Sequence, residues 1–166
     1  RAIAAEGNEI GSHTNGHKPM TIQDEKGRQI PVQNPEEYDE DVRSSYEKLA
    51  ATVGDMKLPS GRYALTRLLR PPTLAVSRMG VAAILNNGFT YLVNGSGSTE
   101  DYSAVSMESL VGILHNLTHE EDGTVKRGAI LVMHMSSTAA RTAEALDILL
   151  ERAREVDAVV RLEGRD

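Results

Sequence analysis

Two histidines, His13 and His17, stand four residues apart in the polar, glycine-punctuated stretch NEIGSHTNGHKPM. If SHTNGH closes one helical turn, residues i and i+4 share a face, and two imidazoles there can converge on one cation. Zinc then needs a third protein ligand, plus an open position for water if the site is catalytic. The alternative is a pair of solvated loop histidines. The chain carries its own control, because HNLTH places His115 and His119 at the same spacing. Leu110, Ile113, Leu114 and Leu117 form the apolar face of that segment, so the second pair reads as solvent-facing. Spacing alone therefore does not separate a metal pair from a surface pair.

Other residues carry chemistry by position. His134 ends the apolar run AILVMH, where a polar residue emerges from a buried strand. A neutral imidazole there can act as a general acid or base near neutral pH; equally, a neighbouring carbonyl can satisfy it. Arg70 ends TRLLR directly before Pro71 and Pro72. An arginine beside a strand end pairs with a carboxylate, in a site or in a structural ion pair. NGSGST suggests a phosphate loop through Gly95 and Gly97, but it lacks the Walker lysine and opens no convincing helix, so it reads as a plain loop. Asn94-Gly95-Ser96 and Asn116-Leu117-Thr118 are formal glycosylation acceptors, a pattern frequent by chance.

The elements that must position these residues follow from periodicity and punctuation. RAIAAEGNEI reads as the end of a helix, Arg1 to Glu6, stopped by Gly7 and followed by a strand. It has neither an initiator methionine nor a signal peptide's apolar core, so the expectation is a chain that begins part-way through a fold. Lys18 to Gln33 reads as a loop or small hairpin. NPEEYDEDVRSSYEKLAATVGD predicts a helix capped by Asn34, with Pro35, Glu36 and Glu37 in its first turn and Gly54 at its end. Its buried stripe is Tyr38, Val42, Tyr46, Leu49 and Val53. LTRLLRPP predicts a short strand, LAVSRMGVAAILNNG a helix closed by Gly88, and FTYLV a strand. SMESLVGILHNLTHE predicts a helix capped by Ser106, and GAILVMHM a strand covered on both faces. TAARTAEALDILLERARE predicts an amphipathic helix and AVVRL a last short strand. Alternating strands and helices argue for a parallel α/β architecture, where chemistry gathers at the C-terminal ends of strands. His13, Arg70 and His134 all fall at or just beyond such ends.

Bulk composition narrows the function. The 166 residues suit a single domain over 1–166. Twenty-four acids against 18 bases give a formal charge of −6 with no basic cluster, which argues against nucleic acid as a partner. No apolar run reaches the ~18 residues of a membrane span. The chain has no cysteine, which excludes thiolate zinc sites, disulfides and a cysteine nucleophile.

With NEIGSHTNGH, LLRPPT, STEDYS and GAILVMH in this order, the chain resembles the NodB-type polysaccharide deacetylases, carbohydrate esterase family four. The resemblance implies a distorted (β/α) barrel whose N-terminal strand or strands lie outside this chain. It casts His13 and His17 as metal ligands, with Asn8 where the family often has histidine. It makes Arg70 the residue that orients a catalytic aspartate, and the backbone N–H of Thr73 an oxyanion donor, where an aromatic is usual. His134 becomes the general acid. Val132 stands where a leucine lines the acetate pocket, and Asp101 and Tyr102 join it as substrate-binding residues. The implied cofactor is a divalent metal, zinc foremost, with cobalt or nickel as alternatives.

Three departures accompany the match. The family's Asp-Asp motif, source of the catalytic base and the third metal ligand, is expected upstream of Arg1; no such pair occurs in the chain. The family's D-x-x-D-W motif reads STEDY here, so Ser98 replaces the aspartate that supports the catalytic histidine, and the acid is expected to be weakened. Met135 follows His134 where an aspartate is common. The implied activity is removal of N-acetyl or O-acetyl groups from a polysaccharide such as peptidoglycan or a chitin-like glycan, in a secreted or cell-envelope protein. A homo-oligomer or a complementing N-terminal segment could complete the site. Two alternatives stand beside it: a weak or inactive homologue that binds glycan or metal, and an amidohydrolase acting on a small substrate.

Overall fold

The computed structural model of the protein describes residues 1–103 and 106–163. It falls into two compact units, Arg1–Asn94 and Gly95–Asp166.

The first unit opens with a single helical turn, α1 (Ala2–Ala5), broken at Gly7 in the left-handed region, φ 94°. The strand β1 (Ile10–Ser12) follows. Next comes a two-stranded antiparallel hairpin, β2 (Thr21–Gln23) and β3 (Gln29–Pro31). Asp24 builds its turn, its carboxylate accepting the N–H groups of Lys26 and Arg28 at 2.9 and 2.8 Å. The hairpin falls inside the segment expected as a loop or hairpin.

The helix α2 (Pro35–Val53) has the anticipated cap. Asn34 Oδ1 accepts the Glu37 N–H at 2.8 Å, and the Glu37 carboxylate accepts the Asn34 N–H, a reciprocal capping box. Tyr38 and Val42 from its stripe bury against Met20, Leu69, Ile84 and Phe89. Val53 joins a second cluster with Ala4, Leu58 and Ala64. The same helix also buries Asp41 and Ser45, which periodicity had not singled out. After α2 come β4 (Leu65–Leu69), α3 (Arg78–Asn86) and β5 (Tyr91–Leu92). β4 lies between β1 and β5 in one parallel sheet. The helix expected from Leu74 starts later, because Thr73 and Leu74 both have positive φ and Ser77 is the cap, its side chain accepting the Gly80 N–H at 3.0 Å.

The second unit carries β6 (Gly97–Ser98), α4 (Met107–Thr118), β7 (Leu131–Val132) and α5 (Thr142–Glu163). β6 and β7 are parallel partners. Leu110, Val111 and Leu114 of α4 pack with Ala145 and Leu149 of α5, against Leu131 and Met133. Ser106 caps α4, accepting the Ser109 N–H at 3.1 Å. No described helix is long and apolar enough to cross a membrane.

Three expectations change in this unit. The segment read as a plain loop contains β6. The run GAILVMHM forms only a two-residue strand and is not covered on both faces, since Ile130 is exposed and Met135 is 92% exposed. Its length is limited by its partner: past Ser98, the Thr99 hydroxyl donates to the Val132 carbonyl at 2.5 Å, and the ladder stops there. The strand expected over residues 158–162 is instead the continuation of α5 to Glu163. No glycine or proline interrupts residues 142–163, and Ala, Leu, Glu and Arg dominate, so nothing ends the helix earlier.

Candidate functional site

The residues with chemistry form two centres, one in each unit. In the first, β1 and β4 run parallel and deliver His13 and Arg70 immediately beyond their C-terminal ends. The ladder continues one step past the strands. Arg70 donates its N–H to the Ser12 carbonyl at 3.0 Å, and His13 Nδ1 donates to the Arg70 carbonyl at 2.6 Å. A carbonyl only accepts, so Nδ1 carries a ring proton, and Nε2 is the ring nitrogen that a metal would take.

The two histidines do not share a helical turn. They sit on a loop in which Thr14 (φ 62°) and His17 (φ 52°) are left-handed, and this fold-back sets the rings edge to face with centroids 4.8 Å apart. The helix α2 grips this loop from one side. Ser45 and Ser12 share a hydrogen bond of 2.5 Å, Asp41 Oδ1 accepts the Gly16 N–H at 2.7 Å, and the Asp41 carbonyl accepts the Asn15 N–H at 3.3 Å. Lys48 Nζ donates to Asn15 Oδ1 at 2.6 Å.

Arg70 makes no ion pair among the described residues. Burial pushes the guanidinium pKa below its ordinary value, the direction expected for a charge held away from water without a counter-ion. Pro71 and Pro72 have no N–H, so Thr73 offers the first backbone donor after Arg70. Thr73 is exposed, at φ 55°. A left-handed, non-glycine residue of this kind costs on the order of 1 kcal/mol and is found disproportionately at functional sites.

In the second unit His134 follows β7 and is 36% exposed, while its partner Asp101 is fully buried. His134 Nδ1–H donates to Asp101 Oδ1 at 2.7 Å, and the His134 backbone N–H donates to Oδ2 at 2.7 Å. Thr142, near the start of α5, donates its hydroxyl to Oδ2 at 2.8 Å, and Thr99 donates to Oδ1 at 3.2 Å. Burial alone pushes the Asp101 carboxyl up, but the side-chain and backbone bonds from His134 and the bond from Thr142 outweigh it, and the net direction is down. The carboxylate is therefore ionised at neutral pH and fixes the imidazole with its proton on Nδ1. Tyr102, 49% exposed, stands edge-on to the His134 ring at 5.2 Å between centroids. An open cavity of about 630 Å³ lies against this centre, lined by His134, Ser136, Thr142 and Leu146 among others.

The structure thus sorts the sequence candidates. His13, His17, Arg70 and Thr73 gather at the ends of β1 and β4; His134, Asp101 and Tyr102 gather at the end of β7. Val132 is buried, so only Tyr102 of the three substrate-binding candidates presents a large exposed surface. Asp101 serves His134 and faces no solvent. Sequence reasoning did not find that pairing, nor Thr142, nor the row Asp41, Ser45 and Lys48. The signal for the last was present: polar residues at positions i, i+4 and i+7 of a helix, two of them beside its apolar stripe. His115 on α4 and His119, its C-cap, stack in parallel at 4.2 Å; His115 is exposed as expected, whereas His119 is half-buried.

Two nitrogen ligands of the kind zinc takes are present at His13 and His17. Among the described residues no group of three His, Cys, Asp or Glu side chains is placed to hold a metal. Zinc sites use three or four protein ligands. The described residues supply part of such a site and do not complete it.

Over 92% of the chain, the structure is similar to a family 4 carbohydrate esterase from Streptomyces lividans in complex with acetate, with TM-score 0.64 and 15% sequence identity; 66% of that chain is covered. The fold is that of a family 4 carbohydrate esterase. Over 94% of the chain it is also similar to a mutant of a CE4 family pseudoenzyme with restored enzymatic activity, with TM-score 0.66, 17% identity and 46% of that chain covered. The chain spans less than two thirds of the length of either structure. No family model matches the chain, and no curated protein matches it by sequence.

Proposed function

We propose that the protein is a metal-dependent hydrolase that removes acetyl groups, N-linked or O-linked, from a polysaccharide such as peptidoglycan or a chitin-like glycan, in the cell envelope or outside the cell. The observation that carries this reading is the His134–Asp101 couple: a half-exposed imidazole at a strand end, held by a buried carboxylate that accepts both its ring and backbone protons. The fold likeness to a carbohydrate esterase in complex with acetate supports the same direction, since acetate is the product of such a reaction.

The chain's own residues would divide the work as follows. His13 and His17 would hold a divalent cation, zinc foremost, with a further carboxylate that the described residues do not supply. A bound metal of this kind polarises a carbonyl and acidifies water. Arg70, half-buried and without an ion pair among the described residues, would orient a second carboxylate, also outside the described residues, as the base that takes the proton of the attacking water. The Thr73 N–H would donate to the developing oxyanion. His134, protonated on Nε2, would give that proton to the departing amine of an N-acetyl group or alcohol of an O-acetyl group, while Asp101 stabilises the imidazolium and keeps the ring oriented. Tyr102, beside the imidazole, would contact the sugar.

The second reading is a homologue that binds glycan or metal without turnover. The incomplete ligand set among the described residues favours it, and the fold is also similar to that of a CE4 family pseudoenzyme in a mutant form whose activity was restored. Acetate release from N-acetylglucosamine oligomers, with small N-acetylated compounds in parallel, separates the readings. The proposal expects release from oligomers and a loss of about 10²–10⁴-fold in His134→Ala. Release only from small compounds would replace the polymer assignment, and no release from either would favour the binding-only homologue.

A further inference from the structure

The loop that carries His13 and His17 is irregular, and nothing in its own sequence explains why it holds two rings at a fixed angle. It has two left-handed non-glycine residues, no helical turn, and a run of exposed positions from Asn15 to Lys18. Such a segment samples many states unless another element restrains it. The restraint is one row of polar side chains on α2. Asp41, Ser45 and Lys48 lie at i, i+4 and i+7, on one face of the helix. Ser45 holds Ser12, the last residue before His13. Asp41 takes the Gly16 N–H through Oδ1 and the Asn15 N–H through its carbonyl, and Lys48 takes the Asn15 side chain. The loop is thus tied on both sides of Thr14 and immediately before His17.

Asp41 is the member whose presence needs an explanation beyond stability. It is 8% exposed, yet Oδ2 has no hydrogen-bond partner among the described residues. A buried carboxylate with one unmatched oxygen costs stability where an apolar residue of similar size would not. What it gives in return is a charge-assisted acceptor at one backbone amide, the amide directly preceding His17.

We propose that Asp41 is the positioning residue of the histidine pair: through the Gly16 N–H, and with Ser45 and Lys48 beside it, it sets the separation and angle of the His13 and His17 rings. The inference rests on the reading of that pair as metal ligands, and it makes α2 part of the metal site's support. Ligand-supporting groups of this kind change metal affinity by about 10–100-fold when removed.

The test compares the full chain with Asp41→Ala, Asp41→Asn and Gly16→Ala. One readout needs no metal: the imidazole ¹H–¹⁵N signals of His13 and His17 and the contact between their rings by NMR. The other is Zn²⁺ affinity by competition with a chelating dye. Asp41→Ala is expected to disperse the His17 ring signals and to lower Zn²⁺ affinity by about tenfold or more. Asp41→Asn keeps an acceptor for the Gly16 N–H and is expected to stay within about threefold of wild type. A Cβ at Gly16 would stand 3.1 Å from Asp41 Oδ1, so Gly16→Ala displaces the same bond from the loop side and is expected to fall between them. Wild-type ring signals and affinity in Asp41→Ala, or an Asn variant as poor as the Ala variant, would overturn the proposal. Should Asp41→Ala not fold, Gly16→Ala decides, and unchanged ring signals there would overturn it. A wild-type chain that takes up no Zn²⁺ counts against the metal reading alone, because the ring signals still test Asp41.

Discussion

Asp101→Ala is the substitution whose cost the structure defines most closely. The carboxylate accepts four bonds: His134 N–H and Nδ1–H, the Thr142 hydroxyl, and the Thr99 hydroxyl. Two of these donors recover readily. Thr99 keeps its 2.5 Å bond to the Val132 carbonyl, and the half-exposed His134 ring can turn to water. The His134 backbone N–H and the buried Thr142 hydroxyl cannot, and each unsatisfied group costs about 1–3 kcal/mol. A loss of about 3 kcal/mol follows, at the lower edge of the roughly 3–5 kcal/mol seen when one partner of a buried pair is removed. In native-state hydrogen exchange this is about 10²-fold faster exchange of the protected amides of α4. The pH dependence carries the sign. Asp101 has its folded pKa below the ordinary carboxylate value of about 3.9, so its contribution is complete above that value and is lost as pH falls through the folded pKa. The gap between wild type and Asp101→Ala should therefore be present at pH 7 and close as pH falls below about 4. A cost under about 1 kcal/mol, or a gap indifferent to acid, would refute the reasoning that this network holds the second unit together.

The remaining predictions concern the first unit and the contrast between the two histidine pairs. His13→Ala should abolish Zn²⁺ uptake while His115→Ala leaves it intact, measured by equilibrium dialysis; equal losses would undo the distinction drawn between them. Asn34→Ala should destabilise by about 1 kcal/mol in urea denaturation, because it removes the side-chain acceptor for the Glu37 N–H and with it the capping box of α2.

What could be read from the sequence was local. The Asn34 and Ser106 caps, the break at Gly7, the hairpin between Lys18 and Gln33 and the end of β4 shortly before Pro71 all depend on residues within a few positions of one another. Strand lengths were less legible, because a strand is as long as its partner allows. The apolar run around Val132 looks like eight strand residues, but β6 offers a two-residue partner. The histidine loop was found by its residue types and strand-end position, while its geometry was not a helical turn at all. Its support on α2 was missed because an apolar-stripe reading discards the polar positions between, and these proved to face the site.

The same limit explains the reading of His134. Ser98 stands where a supporting aspartate was expected, which implied a weakened acid. Among the described residues the hydrogen bonds of His134 go to Asp101 and not to Ser98, whose hydroxyl accepts the Glu100 N–H at 3.3 Å. The chain supplies the carboxylate three residues later. Glu100 takes a left-handed conformation at φ 49°, turning the backbone so that Asp101 points inward beneath β7, across 33 residues of sequence from His134. Residue identity at one motif position was therefore a poor guide, since the imidazole requires a buried acceptor at its Nδ1 and not an aspartate at a given number. That requirement is met by a carboxylate held below its ordinary pKa and bound to both ring and backbone of the same histidine. His134 thus has a buried carboxylate partner even though Ser98 stands where the supporting aspartate was expected.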